Sequence, residues 1–129
     1  YLKSQNPDVK IIGVQPAPDS FVSDENPDQE EITGVHPFEN TKEEYIPANL
    51  DRKVYDDWYE VHTNQAYKAA RELAKNDGLL VGVSSGAALY AATQLAKKEE
   101  YKGKNIVVFI PDTGLRYLST NLFNEEFEV

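Results

Sequence analysis

One stretch, residues 78–98, constrains the fold of this chain more than any other part of its sequence. It reads GLLVGVSSGAALYAATQLAKK: an apolar run, a turn of small residues, and then apolar residues at helical spacing. This order predicts a short strand over residues 79–81, a turn, and a helix that begins near Ala87. A strand-to-helix step is typical of an α/β layer, and it places the turn at the carboxyl end of a strand, where open α/β sheets usually bind ligands.

The turn contains two serines, Ser84 and Ser85, for which the sequence allows two roles. Either hydroxyl could cap the helix by accepting hydrogen bonds from the free amides of its first turn. Alternatively, the glycines on both sides let a ligand approach the backbone, and Ser84 offers that ligand a neutral hydrogen-bond partner. The local sequence is compatible with both roles.

The composition predicts a single domain and argues against nucleic-acid binding, disulfide bonds and membrane insertion. With 129 residues, 40% of them hydrophobic, the chain can form one core and is too short for two ordinary domains. Its net charge of −9 argues against nucleic acid, because phosphate binding requires a basic patch. The lack of cysteine excludes disulfides and thiolate metal ligands. No apolar run approaches the ~20 residues of a membrane span and no signal segment begins the chain, so we expect a cytoplasmic protein.

The first half of the chain is predicted to contain a helix end and two strands. Residues 1–6 resemble the last turns of a helix, which Pro7 terminates. Because the sequence also contains no methionine, we expect the chain to be part of a larger polypeptide. Residues 9–14 are rich in β-branched side chains and predict a buried strand, and residues 54–62 contain the aromatic, alternating pattern of a short strand.

The second half continues the α/β pattern. Thr63 is predicted to cap a helix that ends at Gly78. Residues 105–110 are apolar on both faces, which is typical of an interior parallel strand. If the intervening helix is a right-handed crossover, the strand ends at Gly82 and Pro111 lie on the same edge of one sheet, and we expect a ligand there.

Between these patterns, residues 19–47 form an acidic segment without periodicity. Nine acidic residues and one lysine lie between Asp19 and Glu44, so a solvated loop is the expected structure. The acidic side chains do not alternate around a turn glycine, as a calcium-binding EF-hand loop requires. Two apolar islands, residues 32–35 and 44–47, are predicted to pack against the body of the protein.

Several catalytic and metal sites are disfavoured by the order of the residues. The sequence from Gly82 to Gly86 fits the G-x-S-x-G nucleophile motif, but the hydrolase triad needs a histidine after the serine, and both His36 and His62 precede it. These histidines are also too far apart, and lack the nearby cysteines, to suggest a zinc site. No phosphate-binding P-loop or dinucleotide fingerprint is present. We therefore assign no catalytic residue and no metal ligand.

A resemblance to a known family is carried by three segments in a fixed order: the loop ITGV…EYIP, then GLLVGVSSGAA, then IVVFIPDTGLRYLSTNLF. Together they resemble the C-terminal half of the cysteine synthases, pyridoxal-phosphate (PLP) enzymes of the β-replacement group that includes cystathionine β-synthase. The resemblance covers nearly all of residues 1–123. The EYIP form of the loop and the ending Asn124-Glu125-Glu126-Phe127 are closer to the cysteine synthase B branch. This resemblance implies a three-layer αβα fold with a mainly parallel sheet, in which residues 1–129 form part of the large C-terminal domain of a fold-type II PLP enzyme.

The resemblance also implies a cofactor site. Ser84 matches the residue that hydrogen-bonds the pyridine nitrogen of PLP, where a neutral hydroxyl leaves the nitrogen largely unprotonated and so suits elimination of a β-substituent followed by addition of a nucleophile. Gly34 matches a loop glycine beside cofactor and substrate, where a side chain would occupy substrate space. Pro111, Asp112 and Thr113 match the strand end beside the ring, where they are expected to support the residues that touch it.

The implied reaction is the formation of L-cysteine from an activated L-serine and sulfide by a homodimer. No lysine of this chain lies in the family's S-x-K-[DN]-R context, so the Schiff-base lysine is expected upstream of Tyr1, and these residues alone are expected to be inactive. Two alternatives stay open. One is cystathionine β-synthase or a serine/threonine dehydratase of the same fold. The other is a non-catalytic remnant that acts as a binding module.

Overall fold

The structure, a computed structural model, describes residues 1–124. In chain order its helices and strands are α1 (Leu2–Gln5), β1 (Ile12–Pro16), β2 (Asp57–Val61), α2 (Thr63–Asp77) and α3 (Val83–Ala96). Short 3-10 turns occur at Pro18–Ser20, Glu43–Tyr45, Glu99–Tyr101, Gly114–Tyr117 and Asn121–Phe123. The ending that favoured the cysteine synthase B branch falls mostly on residues 125–127, outside the described residues.

The two strands form a parallel pair. Their register runs from Ile12 opposite Asp57 to Pro16 opposite Val61. The strand predicted over residues 9–14 begins and ends later, at Ile12 and Pro16, because its hydrogen-bonded pairing with β2 starts only opposite Asp57. There the carboxylate of Asp56 accepts the Ile11 amide at 2.8 Å and the Asp56 amide donates to the Ile11 carbonyl, also at 2.8 Å.

Helix α2 follows β2 directly. His62, and not Thr63, is the N-cap residue: its backbone is extended, and its amide donates to the side-chain oxygen of Gln65 at 3.1 Å. Thr63 is the first residue of the helix and is fully buried. The predicted end is confirmed, because Gly78 adopts a left-handed conformation with φ +71° and donates to the carbonyl of Ala74.

Helix α3 begins at Val83, earlier than the predicted start near Ala87. Gly82 is its N-cap residue, and neither serine caps the helix, so the capping interpretation of Ser84 and Ser85 is wrong for the described residues. The small residue Gly86 belongs to the helix and not to a loop, and it allows α3 to pack closely on α2. A Cβ built on Gly86 would lie 2.2 Å from the carbonyl oxygen of Ala66 on α2, so only glycine lets the two helices approach this closely.

The core lies where α3 meets the strands and α2. Helix α3 contacts β1, β2 and α2. Most of the buried apolar side chains are small. The core residues include Val61, Ala66, Ala70, Val83, Ala87, Ala91 and Leu122. A parallel sheet covered by helices is an α/β fold, as predicted.

Two predicted strands do not form ladders within residues 1–124. In place of a strand over residues 79–81, Val81 makes a single antiparallel bridge with Thr113. Residues 105–110 have no strand partner, and Val107 and Phe109 are 86% and 81% exposed. The prediction of an interior strand is therefore wrong for the described residues, because a strand forms only where a neighbour supplies hydrogen bonds, and no described residue does so here.

The acidic segment, residues 19–47, is irregular apart from its 3-10 turns, as expected for a loop. The first apolar island packs as predicted, since Ile32 is only 3% exposed and joins the core. The second island does so less fully: Ile46 is half-buried, whereas Tyr45 is 61% exposed. Of the two islands, the one around Ile32 therefore packs more fully against the body of the protein.

Candidate functional site

A cavity of about 180 Å³ lies beside the first turn of α3. Its walls come from four parts of the chain: the last residues of β1, the acidic loop, α3, and the segment before Asp112. Outside β1 the lining residues are Ile32, Val35, Ser84, Ala87, Ala88, Phe109 and Pro111. The cavity therefore lies at the carboxyl end of a parallel strand, the place that the sequence predicts for a ligand.

Ser84 presents the hydroxyl group of this cavity. It lies in the first turn of α3 and is half-buried. Its hydroxyl makes no hydrogen bond with any other residue in the part of the chain that the structure describes. The N-terminal end of a helix carries a partial positive charge from its free amides, so Ser84 stands at a point that favours a hydrogen-bond acceptor.

Ser85 has a different role from its neighbour. Consecutive helical residues point about 100° apart, and Ser85 is completely buried on the side away from the cavity. Its hydroxyl donates to the carboxylate of Asp112 and accepts from the Asp112 amide at 3.3 Å. Ser85 therefore fixes the start of α3, while Ser84 remains available to a ligand.

Asp112 lies directly over Gly82. Its backbone carbonyl accepts the Gly82 amide at 3.4 Å, and a Cβ added to Gly82 would come within 1.9 Å of the carboxylate. Tyr117 packs on the same glycine, and burial together with a hydrogen bond to Asp112 raises the pKa of its hydroxyl. The two predicted strand ends, at Gly82 and Pro111, are thus brought together, although the local pairing is antiparallel and not that of one parallel edge.

The predicted cofactor residues after residue 110 occupy two layers. Pro111 lines the cavity, whereas Asp112 and Thr113 lie behind it. The Thr113 hydroxyl accepts the amide of Leu115 at 3.4 Å and so begins the turn that follows. The positions of Asp112 and Thr113 are compatible with the supporting role that the resemblance implies, whereas Pro111 lies on the cavity wall itself. The roles of all three residues stay predictions.

Gly34 lies between two residues that line the cavity, Ile32 and Val35. Its φ of +84° is in the left-handed region, which an L side chain adopts only with strain. A Cβ built there meets no described atom within 4 Å. The structure therefore explains the glycine at position 34 by its backbone conformation. The contact of Gly34 with substrate stays a prediction.

Sequence reasoning missed Gln15, a polar residue of the cavity lining that is only 2% exposed. Its side-chain nitrogen donates to Glu60 at 3.0 Å, and its side-chain oxygen accepts the amides of Phe38 and Glu39, each at 3.0 Å. The available signal was a polar residue at the carboxyl end of an otherwise apolar strand. Because its hydrogen-bonding groups are already paired, Gln15 shapes the cavity and ties down the loop.

The residues present are compatible with the cofactor that the resemblance implies, an aromatic ring whose nitrogen accepts a hydrogen bond. The walls are mainly apolar, and the hydroxyl of Ser84 is free to donate toward the cavity. Within residues 1–124, no group of three or more histidine or acidic side chains is placed to bind a metal ion. No described helix is long and apolar enough to cross a membrane. The lining of the cavity thus combines apolar surface with the hydroxyl of Ser84.

Comparison with known sequences gives a family match over most of the chain. The sequence profile of the family described as "Pyridoxal-phosphate dependent enzyme" matches residues 1–112. Cysteine synthases of Staphylococcus aureus strains Mu50 and N315 are each 37% identical to the chain over 123 residues. The match covers 95% of this chain and 37% of each relative, so the chain spans little more than a third of the length of these relatives.

Solved structures with similar folds lead in the same direction. A cysteine synthase from Entamoeba histolytica superposes with a TM-score of 0.75 at 34% identity, covering 99% of this chain and 36% of that one. An O-acetyl serine sulfhydrylase isoform from the same organism gives 0.70 at 35% identity, covering 95% and 35%. O-ureido-L-serine synthase gives 0.77 at 30% identity, covering 99% and 38%. The α/β fold of the chain is the fold of these enzymes.

Proposed function

We propose that this chain, which belongs to the pyridoxal-phosphate dependent enzyme family, forms part of a cysteine synthase active site. The part proposed is the wall that contacts the ring nitrogen of the cofactor. PLP is the cofactor of this family. The proposed reaction replaces the β-substituent of an activated L-serine with sulfide and yields L-cysteine. Support comes from the identity with cysteine synthases and from the fold shared with an O-acetyl serine sulfhydrylase.

The observation that carries the proposal is the hydroxyl of Ser84 on the wall of the cavity. When bound, PLP supplies an electron sink for carbanion chemistry at the α-carbon of an amino acid. Ser84 donates a hydrogen bond to the ring nitrogen and, being neutral, does not hold a proton on it as a carboxylate would. The positive end of α3 acts in the same direction, because it disfavours a cationic ring beside it.

We assign the remaining residues of the site from the resemblance and from their contacts. Pro111 forms part of the wall against the ring, and Asp112 holds the first turn of α3 through Ser85. Thr113 shapes the turn that follows. Gly34 lets the loop backbone pass close to the amino-acid substrate.

No lysine within residues 1–124 lines the cavity, so we assign none of them to the cofactor. We further propose that the enzyme acts in the cytoplasm as a homodimer, as the resemblance implies. The similarity to O-ureido-L-serine synthase supports one alternative, namely β-replacement with a nucleophile other than sulfide. Assaying sulfide and N- or O-nucleophiles with the same activated serine distinguishes the two.

Replacement of Ser84 tests the proposal in the intact protein. Loss of one hydrogen bond is worth ~1 kcal/mol, so Ser84→Ala is expected to lower the rate of sulfide-dependent cysteine formation about five- to tenfold. Ser84→Asp is expected to lower it further, since a carboxylate holds the ring nitrogen protonated. PLP absorbance measures cofactor content, and thiol formation from O-acetyl-L-serine measures the rate.

Ser119→Ala is the matched control, because Ser119 is exposed and lies away from the cavity. It is expected to behave as the wild-type protein. A wild-type protein that binds no PLP, or a Ser84→Ala variant with unchanged rate, contradicts the proposed function. The first of these results also favours the non-catalytic binding module.

A further inference from the structure

We propose that Glu30 is a positioning residue: its carboxylate ties the cavity-lining part of the acidic loop to α2 and to the C-terminal 3-10 turn, and this tie sets the fit of the amino-acid substrate. The inference rests on the proposed function for the identity of the substrate. The tie itself is formed entirely by residues of this chain and does not depend on a ligand.

Both carboxylate oxygens of Glu30 are engaged by distant parts of the chain. One accepts the hydroxyl of Tyr67, on α2, at 2.9 Å. The other accepts the side-chain amide of Asn121, in the 3-10 turn Asn121–Phe123, at 2.8 Å. Three segments far apart in sequence therefore meet at one half-buried side chain.

The two partners of Glu30 are themselves held in place. Tyr67 is only 2% exposed, and burial, with the hydrogen bond to Glu30, raises the pKa of its hydroxyl, which therefore stays protonated as a donor. The guanidinium of Arg71 lies 5.5 Å from the Tyr67 ring and donates to the carbonyls of Asn121 and Leu122. Leu122 is completely buried. The carboxylate is thus bound by a frame of residues that also contact one another: Tyr67, Arg71 and the turn Asn121–Phe123.

The tie leads directly to the cavity. Ile32, two residues after Glu30, is 3% exposed and lines the cavity together with Val35. On the other side, Gln15 holds the backbone of Phe38 and Glu39. The cavity-lining segment, residues 32–35, is therefore held on both sides by hydrogen bonds to the body of the protein. Glu30 makes those on its N-terminal side, and Gln15 accepts those on its C-terminal side.

The adjacent acid provides a contrast. Glu31 is exposed and accepts the amide of Val22, a contact within the acidic segment itself. It makes no hydrogen bond to α2 or to the C-terminal turn among the described residues. Glu31→Gln is therefore a matched control for Glu30: same side chain, neighbouring position, no tie to the frame.

Loss of the tie is expected to affect substrate fit more than cofactor binding. Ser84 lies on α3 and stays in place, whereas residues 32–35 gain freedom. In the intact protein, Glu30→Ala is expected to raise KM for O-acetyl-L-serine about tenfold, as the loss of one or two hydrogen bonds would, with kcat and PLP affinity changed less than threefold. Glu30→Gln keeps one acceptor oxygen and is expected to restore part of the KM.

The rate of thermolysin cleavage within residues 32–35, measured without PLP, tests the tie independently of catalysis. Cleavage there is expected to accelerate several-fold in Glu30→Ala and less in Tyr67→Phe, and to stay at the wild-type rate in Glu31→Gln. Equal cleavage rates in all four proteins overturn the proposal, as does an increase in cleavage spread evenly over the core. Tyr67→Phe, which removes a single oxygen, decides the case where Glu30→Ala does not fold. Failure of the wild-type protein to bind PLP overturns the proposed function and leaves the cleavage result standing.

Discussion

At the scale of single residues, Asp112 connects the first turn of α3 with the segment that follows the cavity wall. Its carboxylate accepts the hydroxyl of Ser85, a side chain with no exposed surface. A buried hydroxyl that loses its partner costs ~1–3 kcal/mol, whereas removal of both partners is milder. The pair therefore has a testable energetic signature.

We expect Asp112→Ala to lower the free energy of unfolding by ~2 kcal/mol, because the Ser85 hydroxyl is left without a side-chain acceptor. The double variant Asp112→Ala with Ser85→Ala is expected to lose less than the sum of the two single variants. Urea unfolding of the four proteins gives the coupling energy. Additive losses would show that the two side chains do not interact.

How far the site could be predicted from the sequence also depends on single residues. Ser84 and Pro111 could be placed at the cavity because each follows a local apolar run that ends at a turn. Gln15 and Ile32 could not, because their place in the lining depends on contacts with parts of the chain distant in sequence. Local sequence patterns predict where a strand or helix ends, but they do not predict which distant segments pack together to form the cavity.

At the scale of elements, the contact between α2 and α3 depends on Gly86. Helix propensity alone predicts that Gly→Ala in a helix stabilises by ~0.5–1 kcal/mol. Packing predicts the opposite sign here, because the new Cβ would meet a backbone carbonyl, which cannot move as the end of a side chain can. The sign of the effect therefore reports which term dominates.

We expect Gly86→Ala to destabilise the fold by ~2–3 kcal/mol through overpacking of the two helices. Gly103→Ala is the comparison. A Cβ there meets open space, and its φ of +73° costs only ~1 kcal/mol. Chemical unfolding midpoints of both variants provide the measurement. A Gly86→Ala protein as stable as the wild type would mean that α2 and α3 can separate at little cost.

The same scale explains which elements the sequence could predict. Helix α2 was placed nearly to the residue, because its apolar stripe and the C-terminal Gly78 are both local signals. The start of α3 was misplaced, because small residues such as Gly82 and Gly86 are read as a turn when the neighbouring helix is unknown. Residues 105–110 are apolar enough to predict a strand, but no described residue pairs with them, and pairing cannot be read from a local pattern.

At the scale of the whole molecule, the exposed apolar side chains of residues 105–110 are the main departure from an ordinary surface. Val107 is 86% exposed and Phe109 is 81% exposed. Ile106 and Ile110 of the same segment are also exposed, at 37% and 41%. An apolar segment with unpaired backbone groups is a template for strand pairing with another segment. A chain of these 129 residues alone therefore carries a surface that favours association.

Val107→Lys tests this surface because it places a charge on the most exposed apolar residue of the segment without touching the cavity. We expect the 129-residue chain to associate at micromolar concentration and the variant to shift toward monomer in sedimentation velocity, since a charged edge resists pairing. Val22→Lys, at a 54% exposed position in the acidic segment, is the control and is expected to leave association unchanged. A monomeric wild-type chain, or equal shifts in both variants, would contradict the role of residues 105–110, because net charge alone would then account for the result.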